Sequence, residues 1–214
     1  MGKLKELDLY IPKHFLETDL EKIKKNIHEN SFGTLVSTVD ELPFATHLPF
    51  FLEENKSEKG TLFGHLAIAN PQWKNLEEKE VLVIFNEAHS YISPNWFDDF
   101  GVPTWNYTAV HVYGKVKLVR EEKALFEILE KLTKFNEKDF PIPWKPEMPE
   151  KVKQSYLKAI VGFKIEVTKI FGKSKLSQNH TAERRKKIID NLKKSDLEDS
   201  RKIAFLMEEK LKKN

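Results

Sequence analysis

The sequence predicts an α+β fold in which six or seven strands form a small antiparallel barrel and helices are added around it. Two patterns predict this fold. Apolar and polar residues alternate along most strand segments, and short breaks join the segments in an order that favours hairpins. With 214 residues, 15 Phe and 4 Trp, the chain is also long and aromatic enough for one sizeable core.

The first half of the chain contains one predicted helix and four predicted strands. The helix begins at Thr18, which forms a T-x-x-E capping box with Glu21, and it continues to about Asn30. Alternating residues predict three strands, and a continuous apolar run, typical of a strand covered on both faces, predicts the fourth. These strands are 32–38, 43–52, 61–67 and 81–85.

The second half contains two further strands, 106–119 and 161–171, because alternate positions are again apolar. Between them an amphipathic helix is predicted over 121–135, followed by a proline-rich crossing and another helix. Two helices close the chain at about 181–193 and 196–212, and the second begins at a capping box formed by Ser195 and Glu198.

Composition excludes several classes of protein. Cys is absent, which excludes disulfides, thiolate metal sites and a catalytic cysteine. No apolar run approaches the roughly 20 residues that a membrane helix needs. The charged segment 1–6 lacks the apolar core of a signal peptide. We therefore expect a soluble, cytoplasmic protein without a membrane segment.

Positive charge is concentrated at the C-terminus. Residues 181–214 carry 11 Lys and Arg against 7 Asp and Glu, whereas the rest of the chain carries 25 against 26. The last two helices have a helix-turn-helix outline, but Asp196, Glu198 and Asp199 put carboxylates where phosphates would approach. Direct DNA binding therefore has little support, and packing on the barrel or on a dimer partner is the favoured role of this pair.

General catalytic and nucleotide-binding motifs are absent from the sequence, including the phosphate loop, the dinucleotide glycine pattern, the zinc-protease motif and the serine-nucleophile motif. His47, His65 and His111 lie on comparable strand faces, but their segments contain no Asp or Glu. Hydrogen-bonded histidines are therefore favoured over a metal site, and no catalytic residue is assigned.

Four segments place small or hydrogen-bonding residues at the ends of strands, where a rigid sheet presents them to a ligand. They are Pro43–Pro49, Gly64–Trp73, Pro103–Tyr107 and Gly172–Asn179. Together with the turn Tyr91–Pro94, they resemble the PaiB family of FMN-binding split-barrel proteins, whose members are named as negative regulators of protease synthesis and sporulation. The resemblance runs from about Tyr10 to Asn179 and rests on several multi-residue matches in the same order.

The resemblance implies a six-stranded antiparallel split β-barrel of the flavin-reductase type. We expect this domain over residues 1–180, followed over 181–214 by a helical extension that packs on the barrel or on a dimer partner. Such barrels are usually homodimers with one FMN in each of two clefts between the subunits. FMN is therefore the expected cofactor, and haem, which some split barrels bind, is the less favoured one.

The resemblance also implies site residues. Thr46 and His47 would face the flavin ring or ribityl chain; His65, Asn70 and Gln72 would serve the phosphate end; Trp73 would stack on the ring or wall the cleft. The stretch after the last strand would reach the partner's flavin through Lys173, Lys175, Ser177, Gln178 and Asn179. Trp105, Asn106 and Tyr107 are candidates for the substrate side.

Ordinary structural roles are the alternative for these residues. Thr favours strands, Asn-Pro starts turns, and aromatic residues such as Trp105 and Tyr107 suit a core. Related oxidases bind the phosphate with a strand arginine and a Ser-Arg-Lys cluster, whereas this chain has His47 and Asn70, which carry less positive charge. Either FMN binds weakly, or Lys173 and Lys175 supply the missing charge.

Three functions follow from these residues, and the first is favoured. It is an FMN-binding regulatory protein that influences transcription of protease and sporulation genes. The second is a flavin-dependent oxidoreductase acting on a small molecule, or a haem-binding barrel. The third is a structural module that contacts another protein through Ile203, Leu206 and Met207 on the last helix.

Overall fold

The computed structural model of the chain describes residues 9–54 and 58–212. In chain order its strands and helices are β1 (Leu16–Glu17), α1 (Leu20–Glu29), β2 (Phe32–Val39), β3 (Leu42–Pro49), β4 (Phe51–Glu53), β5 (Thr61–Ala67), β6 (Glu80–Ile92), β7 (Thr104–Val119), α2 (Glu122–Glu137), α3 (Glu150–Lys158), β8 (Ile160–Lys175), α4 (Ala182–Lys193) and α5 (Glu198–Lys212). Short 3₁₀ turns occupy Lys13–Phe15, Pro71–Asn75 and Pro94–Trp96.

These elements belong to two compact units. The barrel unit comprises residues 20–85 and 111–170. The terminal unit comprises the described residues up to Asp19, residues 86–110, and the described residues from Phe171 onward. Strands β6, β7 and β8 have residues in both units.

The strand order of the sheet is β3-β2-β6-β7-β8-β5-β4, and β1 pairs with β8. The strand pairs with a defined register are all antiparallel: β1–β8, β2–β3, β2–β6, β4–β5 and β5–β8. Strands β3 and β4 lie at opposite ends of this order, yet only Phe50 separates them in the chain. The sheet therefore closes into a barrel, and the predicted α+β barrel fold is confirmed.

The described residues contain eight strands, whereas the sequence pattern predicted six or seven and the family resemblance implied six. The segment predicted as one strand over 43–52 is interrupted at Phe50, where the chain turns from β3 into β4. The added strand β1 has two residues, which pair with Gly172 and Lys173 of β8. A strand this short carries no alternation that a sequence pattern could detect.

Strand β6 continues seven residues beyond its predicted end at Phe85. The buried positions are Val81, Val83 and Phe85, and then Ala88, Ser90 and Ile92. The alternation is interrupted once, at the polar pair Asn86 and Glu87, which ends the apolar run in the sequence without ending the strand. A similar extension places Lys173 and Lys175 inside β8, and not after it as predicted.

The core of the barrel unit is built around Phe50. Its ring centroid lies 5.5 Å from that of Phe85 and 6.1 Å from that of Phe163, and all three rings are fully buried. Glycines make room for these rings: a Cβ on Gly33 would lie 2.8 Å from Phe85, and one on Gly64 would lie 2.6 Å from Phe163. Both glycines are therefore required by close approach of an aromatic ring.

The terminal unit has its own core. Apolar residues of α4 and α5 pack together with strand residues Ala88 and Ile92 and with Leu176. Ile203 and Met207 are completely buried in this cluster, and Leu206 is partly buried against it. These three residues were predicted to form a contact surface for another protein. They are instead packed inside the terminal unit, so the predicted contact surface is wrong.

Among the described residues, no helix is both long and apolar enough to cross a membrane.

The Gly64→Ala variant tests the aromatic core. The added methyl group would lie 2.6 Å from the ring of Phe163, so the ring or strand β5 must shift. We expect the free energy of unfolding to fall by about 1–3 kcal/mol in a urea titration. The control is Ala67→Ser, which adds one atom at an exposed position of the same strand and should change stability by less than about 0.5 kcal/mol. Equal stability of the two variants would contradict the packing argument.

Candidate functional site

The turn after β5 is held on strand β3 by the side chain of Asn70. Its Oδ1 accepts a hydrogen bond from the backbone N–H of Gln72 at 2.9 Å, which caps the turn Pro71–Asn75. Its Nδ2 donates to Oγ1 of Thr46 at 3.0 Å. Because the Thr46 oxygen accepts this bond, its own hydroxyl hydrogen remains to donate elsewhere.

Gln72 supports the same turn from inside the barrel unit. Its side chain is fully buried, and Nε2 lies 2.9 Å from Oγ of Ser37, 3.2 Å from the carbonyl of Leu35 and 3.3 Å from that of Phe44. Its Oε1 is buried with no hydrogen-bond partner among the described residues. Gln72 thus fastens the turn across β2 and β3, and its contact with a phosphate stays a prediction.

Trp73 is fixed by a hydrogen bond from Nε1 to the carbonyl of Ile68 at 2.9 Å. Its ring forms one wall of a cleft of about 280 Å³, here called the Trp73 cleft, whose other lining residues include Arg120, Leu125, Leu157 and Lys158. The guanidinium carbon of Arg120 lies 4.9 Å from the centroid of the Trp73 ring. Arg120 and Lys158 were not among the predicted site residues, because α3 and the end of β7 meet Trp73 only through the fold.

The strand alternation places Thr46 and His47 on opposite faces of β3. His47 is exposed and pairs in register with Thr34, which in turn pairs with Ile84 of β6. A second row on the same face consists of Ala45, Val36 and Leu82. These two rows form a partly exposed patch of mostly small and apolar side chains, here called the outer patch, with His47 at its edge.

His65 lies directly opposite Gly162 of β8, and its Nδ1 is buried without a hydrogen-bond partner among the described residues. Burial lowers the pKa of His65 below its ordinary value of 6.5, because the protonated ring would lose hydration. At neutral pH the ring is therefore uncharged, and it offers a phosphate a neutral donor at most.

In the terminal unit, both predicted lysines contact other side chains. Lys173 Nζ lies 5.3 Å from the ring centroid of Tyr107, and Lys175 Nζ donates to Oγ1 of Thr104 at 2.6 Å. Neither contact neutralises the ammonium charge. The structure thus brings Lys173 and Tyr107 together, as two of the residues the sequence singled out.

Asn106 and Ser177 are both buried and bonded to each other. Ser177 Oγ donates to Oδ1 of Asn106 at 3.1 Å, and Asn106 Nδ2 donates to the sulfur of Met207 at 3.3 Å. Gln178 also bonds locally, since its Oε1 accepts from the N–H of Leu176 at 2.7 Å. Asn179 is exposed. The polar groups of Asn106 and Ser177 therefore support the terminal unit, and their contact with a ligand stays a prediction.

Trp105 lies apart from those residues in an exposed aromatic group. Its ring centroid is 5.9 Å from that of His89 and 5.8 Å from that of Tyr91. Nδ1 of His89 lies 3.3 Å from a carboxylate oxygen of Asp199 on α5. Trp105 was a predicted site residue and its two neighbours were not, because partners on adjacent strands are set by register and leave no local pattern in the sequence.

Within residues 9–54 and 58–212, no three His, Asp or Glu side chains are grouped so that they could hold a metal ion. Thr46, Asn70, Gln72 and Trp73 come together around one turn of the barrel unit. His47 and His65 belong to the same unit but lie away from that turn's hydrogen bonds.

The titration of His65 is directly measurable by NMR of its imidazole ring, with His65→Gln used to assign the signal. We expect a midpoint below 6.5, because burial opposes the charged form. The neutral ring then contributes stability above pH 6.5, and this contribution is lost as the pH falls through the pKa of the folded state. A midpoint at or above 6.5 would contradict the burial of this ring.

Comparisons with known proteins agree with this architecture. Residues 9–169 match the family described as "Putative FMN-binding domain". The flavocytochrome Anf3 of Azotobacter vinelandii has a similar fold, with a TM-score of 0.60 over 77% of this chain and 72% of that chain at 14% identity. The FAD and haem binding protein of Mycobacterium smegmatis gives a TM-score of 0.61 over 79% and 78%, at 13% identity. These structures confirm the split-barrel fold.

Relatives found by sequence identify the family more specifically than these structural neighbours do. An uncharacterised protein of Aspergillus fumigatus is 28% identical over 94% of this chain and 97% of its own length. "Protease synthase and sporulation protein PAI 2" of Bacillus subtilis (strain 168) is 42% identical over 207 residues, which cover 96% of this chain and 99% of the relative. The chain therefore belongs to the family of FMN-binding-domain proteins that includes PAI 2, the PaiB family that its sequence resembles.

Proposed function

We propose that this chain is an FMN-binding regulatory protein that works in the cytoplasm as a homodimer. Membership of a family described as FMN-binding supports the cofactor. The name of the relative PAI 2 connects that protein with protease synthase and sporulation, and the 42% identity supports a related role here. Control of transcription is part of the proposal.

The observation that carries the proposal is the hydrogen bond between Asn70 and Thr46 at 3.0 Å. The two residues come from separate segments, and these are the segments that carry the family resemblance. Their contact makes one rigid corner from strand β3 and the turn Pro71–Asn75. A free hydroxyl hydrogen on Thr46 and the fixed amide of Asn70 give this corner neutral donors for a phosphate.

The outer patch fits the ring of the cofactor. An isoalloxazine ring needs a flat apolar wall and polar groups at its edge. The rows Ala45–Val36–Leu82 and His47–Thr34–Ile84 provide such a wall, with His47 and Thr34 as polar side chains beside it. When bound, FMN would supply hydride or electron transfer, and the residues of the patch would orient its ring.

Positive charge for the phosphate is scarce at this corner. His65 is neutral at pH 7, since burial lowers its pKa, and Asn70 carries no charge. The resemblance assigns the stretch from Lys173 to Asn179 to the flavin of the second copy, and we retain that assignment as part of the proposal. FMN binding that weakens steeply with added salt would support a role for these lysines.

Titration of FMN into the purified protein tests the cofactor, with quenching of flavin fluorescence as the signal. The Thr46→Val variant removes the donor at the corner, and we expect Kd to rise about 10- to 100-fold. The control Thr168→Val removes an exposed threonine hydroxyl on β8 and should leave Kd unchanged. Absence of quenching in the wild type, or equal Kd values for both variants, would contradict the proposal.

The same preparation separates the alternative activities. Oxidation of NADPH by the FMN-loaded protein would favour a flavin-dependent oxidoreductase, and a Soret band in the absorbance spectrum would favour a haem protein. A yellow protein with neither property agrees with regulatory binding.

Sedimentation velocity tests the homodimer. The chain has a mass of 25.1 kDa, so we expect a single species of twice this mass at micromolar concentration. A species with the mass of one chain would contradict this part of the proposal.

A further inference from the structure

We propose that the Trp73 cleft is a second binding site, separate from the proposed flavin site, for a small aromatic acid: one aromatic ring that carries a carboxylate or a phosphate. All lining residues of the cleft belong to the barrel unit. The site is built from three parts, which are an aromatic wall, an apolar floor and two cations.

The aromatic wall is rigid. The bond from Nε1 of Trp73 to the carbonyl of Ile68 at 2.9 Å fixes the orientation of the indole ring. Hydrogen bonds of the Asn70 and Gln72 side chains also hold the 3₁₀ turn that carries Trp73. A ligand ring therefore meets a preformed surface, and little conformational entropy is lost on binding.

The floor of the cleft is apolar. Leu125, Leu157 and Val161 line the cleft and are buried, while Ile68 and Ile160 complete its walls. The volume of about 280 Å³ is slightly below the usual range for ligand pockets, about 300–1,000 Å³, and it suits one aromatic ring better than a three-ring flavin.

The cations are available to a ligand. Arg120 lies over the Trp73 ring at 4.9 Å, and its guanidinium has no hydrogen bond or ion pair to any described residue. The ammonium of Lys158, which also lines the cleft, has no hydrogen bond or ion pair to a described residue either. Glu122 is the single carboxylate that lines the cleft, so the lining carries a net positive charge. The planar fork of Arg120 matches two oxygens of one carboxylate or phosphate.

Benzoate and phenyl phosphate are the probes, observed through the indole N–H signals of protein labelled with ¹⁵N. The Trp73→Phe variant identifies the Trp73 signal among the four indoles. We expect this signal to shift saturably with one or both probes, and not with acetate or inorganic phosphate, which lack a ring. Arg120→Gln and Lys158→Gln should each raise Kd at least tenfold. The control Lys151→Gln removes a cation from α3 outside the cleft lining and should not change it.

Three results would overturn the proposal: no shift with either probe, an equal shift with acetate or inorganic phosphate, or an unchanged Kd in Arg120→Gln. Unaltered indole signals of Trp96, Trp105 and Trp144 in that variant without ligand show that it is folded. Displacement of benzoate by FMN would also overturn the claim of a separate site, whereas simultaneous binding supports it. Because the titration is done without FMN, its outcome is independent of whether the chain binds flavin.

Discussion

Close packing of three phenylalanine rings is the constraint on which the barrel unit depends. Phe50 stands at the point where β3 passes into β4, and its ring meets those of Phe85 and Phe163 from two other strands. The rings fit only because Gly33 and Gly64 carry no side chain where a Cβ would clash. This contact fixes the position of β3 relative to β2 and β5, and with it the corner that we propose for the phosphate.

Polar groups extend this rigidity from the core to the surface. The buried amide of Gln72 and the side chain of Asn70 attach the turn Pro71–Asn75 to β2 and β3. One turn therefore presents two different surfaces, the corner near Thr46 and the Trp73 cleft. A site on such a support is preorganised, so binding energy is not spent on ordering loops. The corner itself carries no positive charge for a phosphate, because its donors, the hydroxyl of Thr46 and the amide of Asn70, are neutral.

Most of the fold is predictable from the sequence because apolar and polar residues alternate clearly along its strands. Strand β5 has the same bounds in prediction and structure, Thr61–Ala67. The prediction fails where alternation is broken: at Phe50, which divides one predicted strand, and at Asn86 and Glu87, where β6 continues through a polar pair. For the site, the Asn-Pro turn signal and the family resemblance together led to the turn that holds Thr46. Arg120 and Lys158 escaped prediction because their meeting with Trp73 depends on how β7, α3 and the turn pack.

The central claim is that the outer patch and the corner at Asn70 bind the same FMN. The corner at Asn70 and the outer patch lie on opposite faces of β3, and β3 is the first strand in the sheet order. In the proposed complex, FMN therefore passes around the edge of β3, with its ring on the outer patch and its phosphate at the corner. Backbone amide shifts in a ¹H–¹⁵N spectrum recorded during addition of FMN test this claim most directly. We expect saturable shifts that concentrate at Thr34, Val36, Ala45–His47, Asn70 and Gln72. Shifts confined to other parts of the chain, or no shifts at FMN concentrations that saturate related flavoproteins, would contradict it.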